Sequence, residues 1–240
     1  MSRVALVTGG TRGIGAEISR ALTQAGRTVV ASFAHNSRAA DDFARAESIH
    51  VLQFDASDYA ACETAVARIE ADFGPIEILI NNAGITRDRV VSKMSRDMWD
   101  AVIDTNLGSC FNLCRLTFDR MRANKFGRIV NIGSINGQAG QYGQVNYAAA
   151  KSGIHGFTKA LAQEGARFNI TVNAIAPGYV DTDMVRAVPP DVLEKIIARI
   201  PVGRLGRAED IARGVLFLTA DDSDFVTGST LSINGGQHMY

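Results

Sequence analysis

The sequence has few cysteines, and their spacing favours neither a disulfide framework nor a metal site. Cys62, Cys110 and Cys114 are an odd number without a Cys-x-x-Cys pair, which is typical of a protein kept in a reducing compartment. Cys110 and Cys114 are close enough in sequence to form a ligand pair, but the 4 histidines lie far from one another and never pair at metal-ligand spacing. We therefore expect buried thiols and no metal.

The sequence also lacks an excess of charge and a long apolar run. Its 25 lysines and arginines balance 25 aspartates and glutamates, so the net charge gives no indication of a nucleic-acid or membrane-surface partner. No apolar stretch approaches the roughly 18 residues that a membrane span requires, and the run after Met1 is too short for a signal peptide. We expect a cytoplasmic protein with no membrane span, no nucleic-acid partner and a small-molecule ligand.

Proline is scarce too, with 5 prolines against 23 glycines. Short apolar runs alternate with amphipathic stretches that are long enough for crossover helices, which predicts a parallel sheet with helices on both faces. The predicted strands are Val4–Thr8, Thr28–Phe33, Ile49–Phe54, Ile76–Ile80, Arg128–Ile132, Ile170–Ile175 and Thr230–Ile233. The predicted helices are Ile14–Ala25, Asp58–Phe73, Asp97–Met121, Val145–Phe168 and Ala208–Ala220. No linker divides residues 1–240, so we expect a single α/β, doubly wound domain of about seven parallel strands, with a lid at about 177–204 that carries its own short helix.

A glycine-rich turn follows the first predicted strand directly. The segment Thr8–Gly15 allows a tight turn, lets backbone amides approach a pyrophosphate and leads into a helix whose N-terminus is partly positive. Such a turn can be a plain strand-to-helix connection, but its position in the first βαβ unit favours a dinucleotide site in a Rossmann-type domain. The candidate cofactor contacts are Gly9, Thr11, Arg12, Gly13, Ile14 and Gly15.

The second predicted strand ends without the acidic residue that an NAD site uses. An Asp or Glu about 20 residues past the glycine loop would hold the ribose 2′-hydroxyl, but no acidic residue follows Phe33 until Asp41. Arg12 and Arg38 could instead pair with a 2′-phosphate, although either could be a solvated surface arginine. We therefore predict NADPH/NADP+ as the cofactor rather than NADH.

Three polar residues form a candidate catalytic group. Tyr147 and Lys151 share one face of a predicted helix, where the ammonium would lower the pKa of the phenol and assist proton transfer near neutral pH. Ser134 follows the fifth strand, so it should lie at the carboxyl edge of the sheet, where open α/β sheets bind ligands. The helical pair alone could be a half-buried tyrosine beside a solvated lysine. Asn106, inside a predicted helix, is mildly unfavourable there unless it has a local role, and could otherwise face the surface.

The sequence resembles the short-chain dehydrogenase/reductase family over essentially its whole length. The resemblance rests on ordered motifs: Thr8-Gly9-xxx-Gly13-x-Gly15, Asn81-Asn82-Ala83-Gly84, Asn106, Ser134, Tyr147-xxx-Lys151 and Pro177-Gly178. It implies that Tyr147 is the general acid for carbonyl reduction, Ser134 polarises the carbonyl oxygen and Lys151 binds the nicotinamide ribose. Asn106 would anchor a water in a proton relay behind Lys151. The further cofactor contacts that it implies are Asp55, Asn82, Ala83, Gly84, Tyr147, Lys151, Pro177, Gly178 and Thr182.

The resemblance also implies a substrate class. It is stronger to the family members that reduce acetoacetyl-CoA to (3R)-3-hydroxybutyryl-CoA for polyhydroxybutyrate synthesis, in the segments 81–88, 134–138, 143–147, 201–206 and 234–237. Several of these segments are shared with 3-oxoacyl-carrier-protein reductases, so that activity is an alternative. Phe168 stands where many carrier-protein reductases have a basic residue, which favours CoA, although Lys125 keeps the neighbouring basic position.

The remaining expectations concern the substrate contacts and the assembly. We expect Gln138, Gln141, Gln144 and Tyr179 around the substrate, although the glutamines could simply be polar surface residues. The resemblance implies a homotetramer built through the long helices and the last strand. A Rossmann-type regulatory protein that binds a dinucleotide without chemistry, or a structural oligomerisation module, would have no need of Ser134, Tyr147 and Lys151 together.

Overall fold

The structure is a computed structural model, and it describes residues 2–182, 185 and 188–239. The described residues form one sheet of seven parallel strands in the order β3-β2-β1-β4-β5-β6-β7, which confirms the predicted fold class. The strands are β1 Val4–Val7, β2 Thr28–Phe33, β3 His50–Gln53, β4 Ile76–Asn81, β5 Gly127–Ile132, β6 Ile170–Pro177 and β7 Thr230–Ile233. The order reverses between β1 and β4, so their carboxyl ends flank a crevice.

Helices cover both faces of this sheet. Their bounds are α1 Gly13–Gln24, α2 Ser37–Glu47, α3 Tyr59–Phe73, α4 Arg96–Ile103, α5 Ser109–Asn124, α6 Ile135–Ala139, α7 Val145–Gly165, α8 Pro190–Ile197 and α9 Ala208–Thr219. Helix α8 is the short helix expected between residues 177 and 204, of which residues 183, 184, 186 and 187 lie outside the described part of the chain.

Two predictions about helices were incomplete. The sequence analysis did not predict α2, which buries only Ala40 and Phe43 and therefore has a weak apolar signal. The single helix predicted over Asp97–Met121 is instead α4 and α5 joined by a five-residue π-helical segment, Asp104–Gly108. A π-helical segment inserts an extra residue into the helical repeat without interrupting the polypeptide's helical course, so apolar periodicity alone did not reveal it.

The near-continuous apolar strands are explained by a core on each side of the sheet. Leu6 and its strand neighbours pack on one face against α3, α5 and α7, whereas Val7 and Val130 pack on the other face against α1 and α9. All six positions of β5 are buried. None of the described helices is long and apolar enough to cross a membrane.

Candidate active site

The glycine loop is held in place by hydrogen bonds to the end of β4. The Thr8 hydroxyl oxygen accepts from the backbone N–H groups of Asn82 and Ala83, both at 2.9 Å. The Asn82 side chain donates back to the Thr8 carbonyl oxygen at 2.9 Å. Gly9 has a φ of 58°, and a Cβ atom at Gly15 would lie 2.1 Å from the Gly9 carbonyl oxygen. The loop therefore requires glycine at both positions, one for its backbone conformation and one for close packing.

The N-terminus of α1 at this loop has the features of an anion site. Arg12 occupies the N-cap position without a side-chain capping bond to any described residue, and the first helical turn contains no acidic residue. The first N–H groups of the helix and its dipole therefore face the loop with no acidic side chain in that first turn. Thr182 lies beside the loop, because its Cγ2 atom would be 3.8 Å from a Cβ atom on Gly13. The cradle fits a pyrophosphate group.

The other predicted cofactor residues lie along the same edge of the sheet. Arg12 and Arg38 are exposed, and neither forms an ion pair within the described part of the chain. Asp55 follows β3, and its Oδ1 atom accepts from the backbone N–H and the hydroxyl of Ser57 at 2.9 and 2.7 Å. Pro177 ends β6, and Gly178 is packed so closely against Asn234 that a Cβ atom there would lie 2.8 Å from its Cα atom.

Ser134, Tyr147 and Lys151 come together at the carboxyl ends of β5 and β6. Ser134 is the N-cap of α6, and its hydroxyl is close enough to the Tyr147 phenol to affect the pKa of that group. Lys151 is only 4% exposed, and its Nζ atom lies 5.7 Å from the centroid of the Tyr147 ring. That Nζ atom donates to the Ile132 carbonyl oxygen at 2.7 Å. The three predicted residues therefore share one site, in which Ser134 and Lys151 are buried and Tyr147 is partly exposed.

Burial dominates the protonation of this site. Desolvation raises the pKa of Tyr147, with a smaller contribution from the Asp88 carboxylate, while the Ser134 hydroxyl acts in the opposite direction. Desolvation also lowers the pKa of Lys151 to about 8. The expectation that the ammonium lowers the pKa of the phenol was therefore wrong for this arrangement, because Lys151 is directed at the Ile132 carbonyl and burial has the larger effect.

Asn106 is buried in the π-helical segment and does not face the surface. Its Oδ1 atom accepts from the Ile85 N–H at 2.8 Å, and its Nδ2 atom donates to the Ile85 carbonyl oxygen at 3.0 Å. A Cβ atom on Gly84 would lie 3.3 Å from Asn106 Oδ1 and 3.6 Å from Lys151 Nζ. Gly84 therefore lies between these two side chains and in contact range of both. Asn106 is thus adjacent to Lys151 and holds the chain after β4.

The four residues predicted around the substrate have different partners in the structure. The Gln138 side chain donates to the Ser232 hydroxyl on β7 at 3.1 Å, and Gln141 is exposed. The Gln144 Oε1 atom accepts from Asn136 at 2.9 Å, and its Nε2 atom donates to Asp88 at 2.7 Å. Tyr179 lines a cavity of about 260 Å³ together with Gly178, Ile200, Val202, Arg204 and Asn234, among others.

Sequence reasoning did not assign three polar residues that the structure places at the site. Asn136 donates its backbone N–H to the Ser134 hydroxyl oxygen at 3.1 Å, and Asp88 anchors Gln144. Asn146 immediately precedes Tyr147 and is buried. All three lie in the segments that carried the family resemblance, which was the available signal. The described residues contain no group of three or more His, Cys, Asp or Glu side chains that could hold a metal ion.

Comparison with known proteins gives full-length matches. Residues 3–193 match the sequence profile of the family described as short chain dehydrogenase. The chain is 60% identical over 238 residues to an acetoacetyl-CoA reductase from Shinella zoogloeoides, with 99% of both chains covered. It is 59% identical over 240 residues to an acetoacetyl-CoA reductase from Rhizobium meliloti (strain 1021), with 100% of both covered. It is 44% identical over 239 residues to the 3-oxoacyl-acyl-carrier-protein reductase FabG from Escherichia coli (strain K12), which covers 99% of this chain and 98% of the relative.

Proposed function

Because the chain belongs to the short-chain dehydrogenase family, we propose that it is an oxidoreductase that uses NADPH to reduce acetoacetyl-CoA to (3R)-3-hydroxybutyryl-CoA. The observation that carries the proposal is the group of Ser134, Tyr147 and Lys151 beside a glycine loop that fits a dinucleotide. The substrate in this proposal is taken from the names of the two acetoacetyl-CoA reductases that the chain is similar to. The product is a monomer unit of polyhydroxybutyrate, and we place the enzyme in the synthesis of that polymer.

The chain's own residues fit a nicotinamide dinucleotide. The amides of the segment 9–15 would hold the pyrophosphate, Asp55 the adenine, and the residues 82–84 with Pro177, Gly178 and Thr182 the remainder of the cofactor. Arg12 and Arg38 would pair with a 2′-phosphate, because no carboxylate at the end of β2 repels it. When bound, the reduced nicotinamide supplies a hydride.

The proposed roles of the catalytic residues follow from their protonation and positions. Tyr147 keeps its proton because its pKa is raised, so it can donate that proton to the carbonyl oxygen as negative charge develops there. The Ser134 hydroxyl, which lies close to the phenol, donates a second hydrogen bond to the same oxygen. Lys151 supplies positive charge beside Tyr147 and binds the ribose, and Asn106 lies next to it, where it would hold the relay water.

The proposal is tested by adding acetoacetyl-CoA to the protein and NADPH. The oxidation of NADPH is measured as the loss of its absorbance. Tyr147→Phe removes only the acidic hydroxyl, so we expect kcat to fall by at least about 100-fold while NADPH binding is retained. Full activity in this variant would refute the assigned role of Tyr147. If neither acetoacetyl-CoA nor an acetoacetyl carrier protein causes the wild-type protein to oxidise NADPH, the proposed function is refuted.

The preference for NADPH is tested separately through the two arginines. Arg12→Ala and Arg38→Ala should each lower the ratio of NADPH to NADH in kcat/KM, by about 10-fold for a lost charge-assisted bond to phosphate. Arg45→Ala is the matched control, since Arg45 lies on the same helix as Arg38, is exposed and pairs with Asp42. If the ratio is unchanged in both Arg12→Ala and Arg38→Ala, these arginines do not bind the 2′-phosphate and the assignment of NADPH through them is wrong.

The carrier-protein substrate has an observation in its favour and is the second candidate. Phe168 lies between two guanidinium groups, with the Cζ atoms of Arg122 and Arg167 both 4.7 Å from the centroid of its ring. Two arginines therefore adjoin Phe168, although Arg122 also pairs with Asp119. Lys125 follows Arg122 by three residues, and basic surfaces suit an acidic carrier protein. Parallel assays with acetoacetyl-CoA and an acetoacetyl carrier protein distinguish the two candidate substrates. A higher kcat/KM for the carrier protein would reverse the preference for CoA.

We also propose the assembly and the location expected from the sequence. The end position of β7 in the sheet and the 101% and 54% exposed side chains of Phe225 and Phe111 support a homotetramer. The three free, buried thiols support a reducing compartment such as the cytoplasm. Residues 1–240 would be one domain, with the segment at about 177–204 as its substrate lid. Light scattering on the purified protein tests the tetramer, and a monomer would exclude it.

A further inference from the structure

Asn146 immediately precedes Tyr147, and three hydrogen bonds use both N–H donors and the carbonyl oxygen of its side chain. Its Nδ2 atom donates to the carbonyl oxygens of Arg87 and Met98 at 3.0 and 3.1 Å. Its Oδ1 atom accepts from the Tyr147 backbone N–H at 2.8 Å. The residue is 0% exposed. We propose that Asn146 is a positioning residue, which fixes the start of α7, and with it Tyr147, against the segment that follows β4. The inference rests on the proposed carbonyl reduction.

The beginning of α7 needs such a residue because its N-cap does not supply a cap. Gln144 occupies the N-cap position, but its side chain is directed to Asn136 and Asp88 and caps no N–H group among the described residues. The first N–H groups of a helix have no intrahelical acceptor, and the Tyr147 N–H is one of them. The side chain of Asn146 accepts from that group, so the backbone of Tyr147 is fixed through Asn146.

One acceptor of Asn146, the Arg87 carbonyl, belongs to a segment that a second buried asparagine also holds, and the other, that of Met98, lies on α4. Asn106 bonds both backbone groups of Ile85, and Asn146 bonds the carbonyl of Arg87 two residues later. Asn106 lies beside Lys151 across Gly84, whereas Asn146 is adjacent to Tyr147. The segment 84–87 is therefore held next to both ionisable residues of the site. Loss of the Asn146 bonds should shift Tyr147 relative to Ser134.

A control exists in Asn173 on β6, a second buried asparagine whose amide both donates to a backbone carbonyl and accepts from a backbone N–H. Asn173 is also 0% exposed, its Nδ2 atom donates to the Val226 carbonyl oxygen at 2.7 Å, and its Oδ1 atom accepts from the Ser229 N–H at 3.1 Å. It lies on β6 and ties that strand to the loop before β7. Its loss should cost stability in the same way without moving Tyr147.

The experiment compares Asn146→Asp, Asn146→Ala and Asn173→Asp with the wild type. Asn146→Asp keeps the acceptor for the Tyr147 N–H and loses both donors, whereas Asn146→Ala loses all three bonds. We expect kcat with acetoacetyl-CoA to fall about 10- to 100-fold in both, as for a small misplacement of a reacting group. KM and the NADPH Kd should stay within about threefold, because the binding contacts are retained. Asn173→Asp should lower the thermal midpoint similarly and leave kcat within about twofold.

The outcomes separate this inference from the proposed function. A kcat within about twofold of wild type in both folded Asn146 variants would overturn the inference, as would an equal loss of kcat in Asn173→Asp. Failure of both Asn146 variants to fold would also overturn it, because the residue would then be needed by the core and not by the site. A wild type that reduces neither acetoacetyl thioester would count against the proposed function itself and would remove both proposals.

Discussion

The two ionisable residues of the site respond to burial in opposite directions. Burial raises the pKa of the Tyr147 phenol, so this group stays protonated into the alkaline range. Burial lowers the pKa of the Lys151 ammonium to about 8. As the pH rises above neutrality, the first change of charge at the site is therefore the loss of the Lys151 charge. Any alkaline loss of reductase activity should reflect Lys151 and not Tyr147.

We predict that kcat/KM for acetoacetyl-CoA falls as the pH rises through about 8, because Lys151 loses its positive charge there. The contribution of this group to stability has the opposite sign. Its pKa in the folded state lies below the ordinary 10.5, so the cost of burying the charge is complete below about pH 8 and is relieved as the pH rises towards 10.5. Activity should therefore fall where the contribution of Lys151 to the free energy of unfolding rises.

Measurement of kcat/KM and of the thermal midpoint between about pH 6 and pH 10 checks this prediction. A kcat/KM that stays constant to about pH 10 would contradict it, and so would a loss of activity that follows unfolding. Lys159→Met is a suitable control, since Lys159 lies on the same helix further from Tyr147 and should leave the alkaline limb in place.

The meeting of Ser134, Tyr147 and Lys151 could be predicted because their types and order are rare in combination, whereas the residues that support them could not. Ser134, Tyr147 and Lys151 meet at one edge because parallel strands end there. The partners of Asn146 are backbone carbonyls of Arg87 and Met98, and any residue type supplies a carbonyl. The sequence therefore contains no signal for these acceptors. The same reason explains why the Lys151 ammonium was expected at Tyr147 and not at the Ile132 carbonyl.

Among the elements, the glycine loop makes the sharpest structural demand. A Cβ atom on Gly15 would lie 2.1 Å from the Gly9 carbonyl oxygen, which belongs to the backbone and cannot rotate away. We predict that Gly15→Ala displaces the loop and raises the NADPH Kd by more than about 10-fold. Gly156→Ala should leave the Kd unchanged, because no atom lies within 4 Å of its new Cβ atom. Fluorescence titration with NADPH compares the two variants, and equal affinities would contradict the prediction.

Element boundaries were predicted well wherever the apolar pattern was strong, and the failures have local causes. The central strands were found because burial on both faces makes them near-continuously apolar, as in β1, whereas β3 and β7 are only partly buried. Helix α2 was missed because it has only two buried residues. The π-helical segment between α4 and α5 was missed because helical character continues through all three segments and only the hydrogen-bond pattern changes, yet this segment directs Asn106 at Ile85.

For the whole molecule, the carboxyl ends and the amino ends of the strands have different roles. The proposed chemistry lies at the carboxyl ends of the strands, whereas Arg128 lies near the amino end of β5. Arg128 is 0% exposed, and its guanidinium donates to carbonyl oxygens of Gly127, Asn169, Ala220 and Asp221 at 2.9 to 3.1 Å. Within the described chain it has no carboxylate in an ion pair, and burial lowers its pKa. Its function is to join the starts of β5 and β6 to the end of α9.

We predict that Arg128→Met lowers the free energy of unfolding by at least about 2 kcal/mol, because several buried carbonyl groups lose their donors. Arg128→Lys should recover only part of this loss, since an ammonium cannot reproduce the planar fork that reaches both chain segments. The reductase kcat should remain within about twofold of wild type in both variants below their melting range, because the site is at the opposite edge. Denaturant unfolding at one fixed protein concentration, combined with the NADPH assay, measures both effects. A loss of kcat without loss of stability would show that the two edges are coupled.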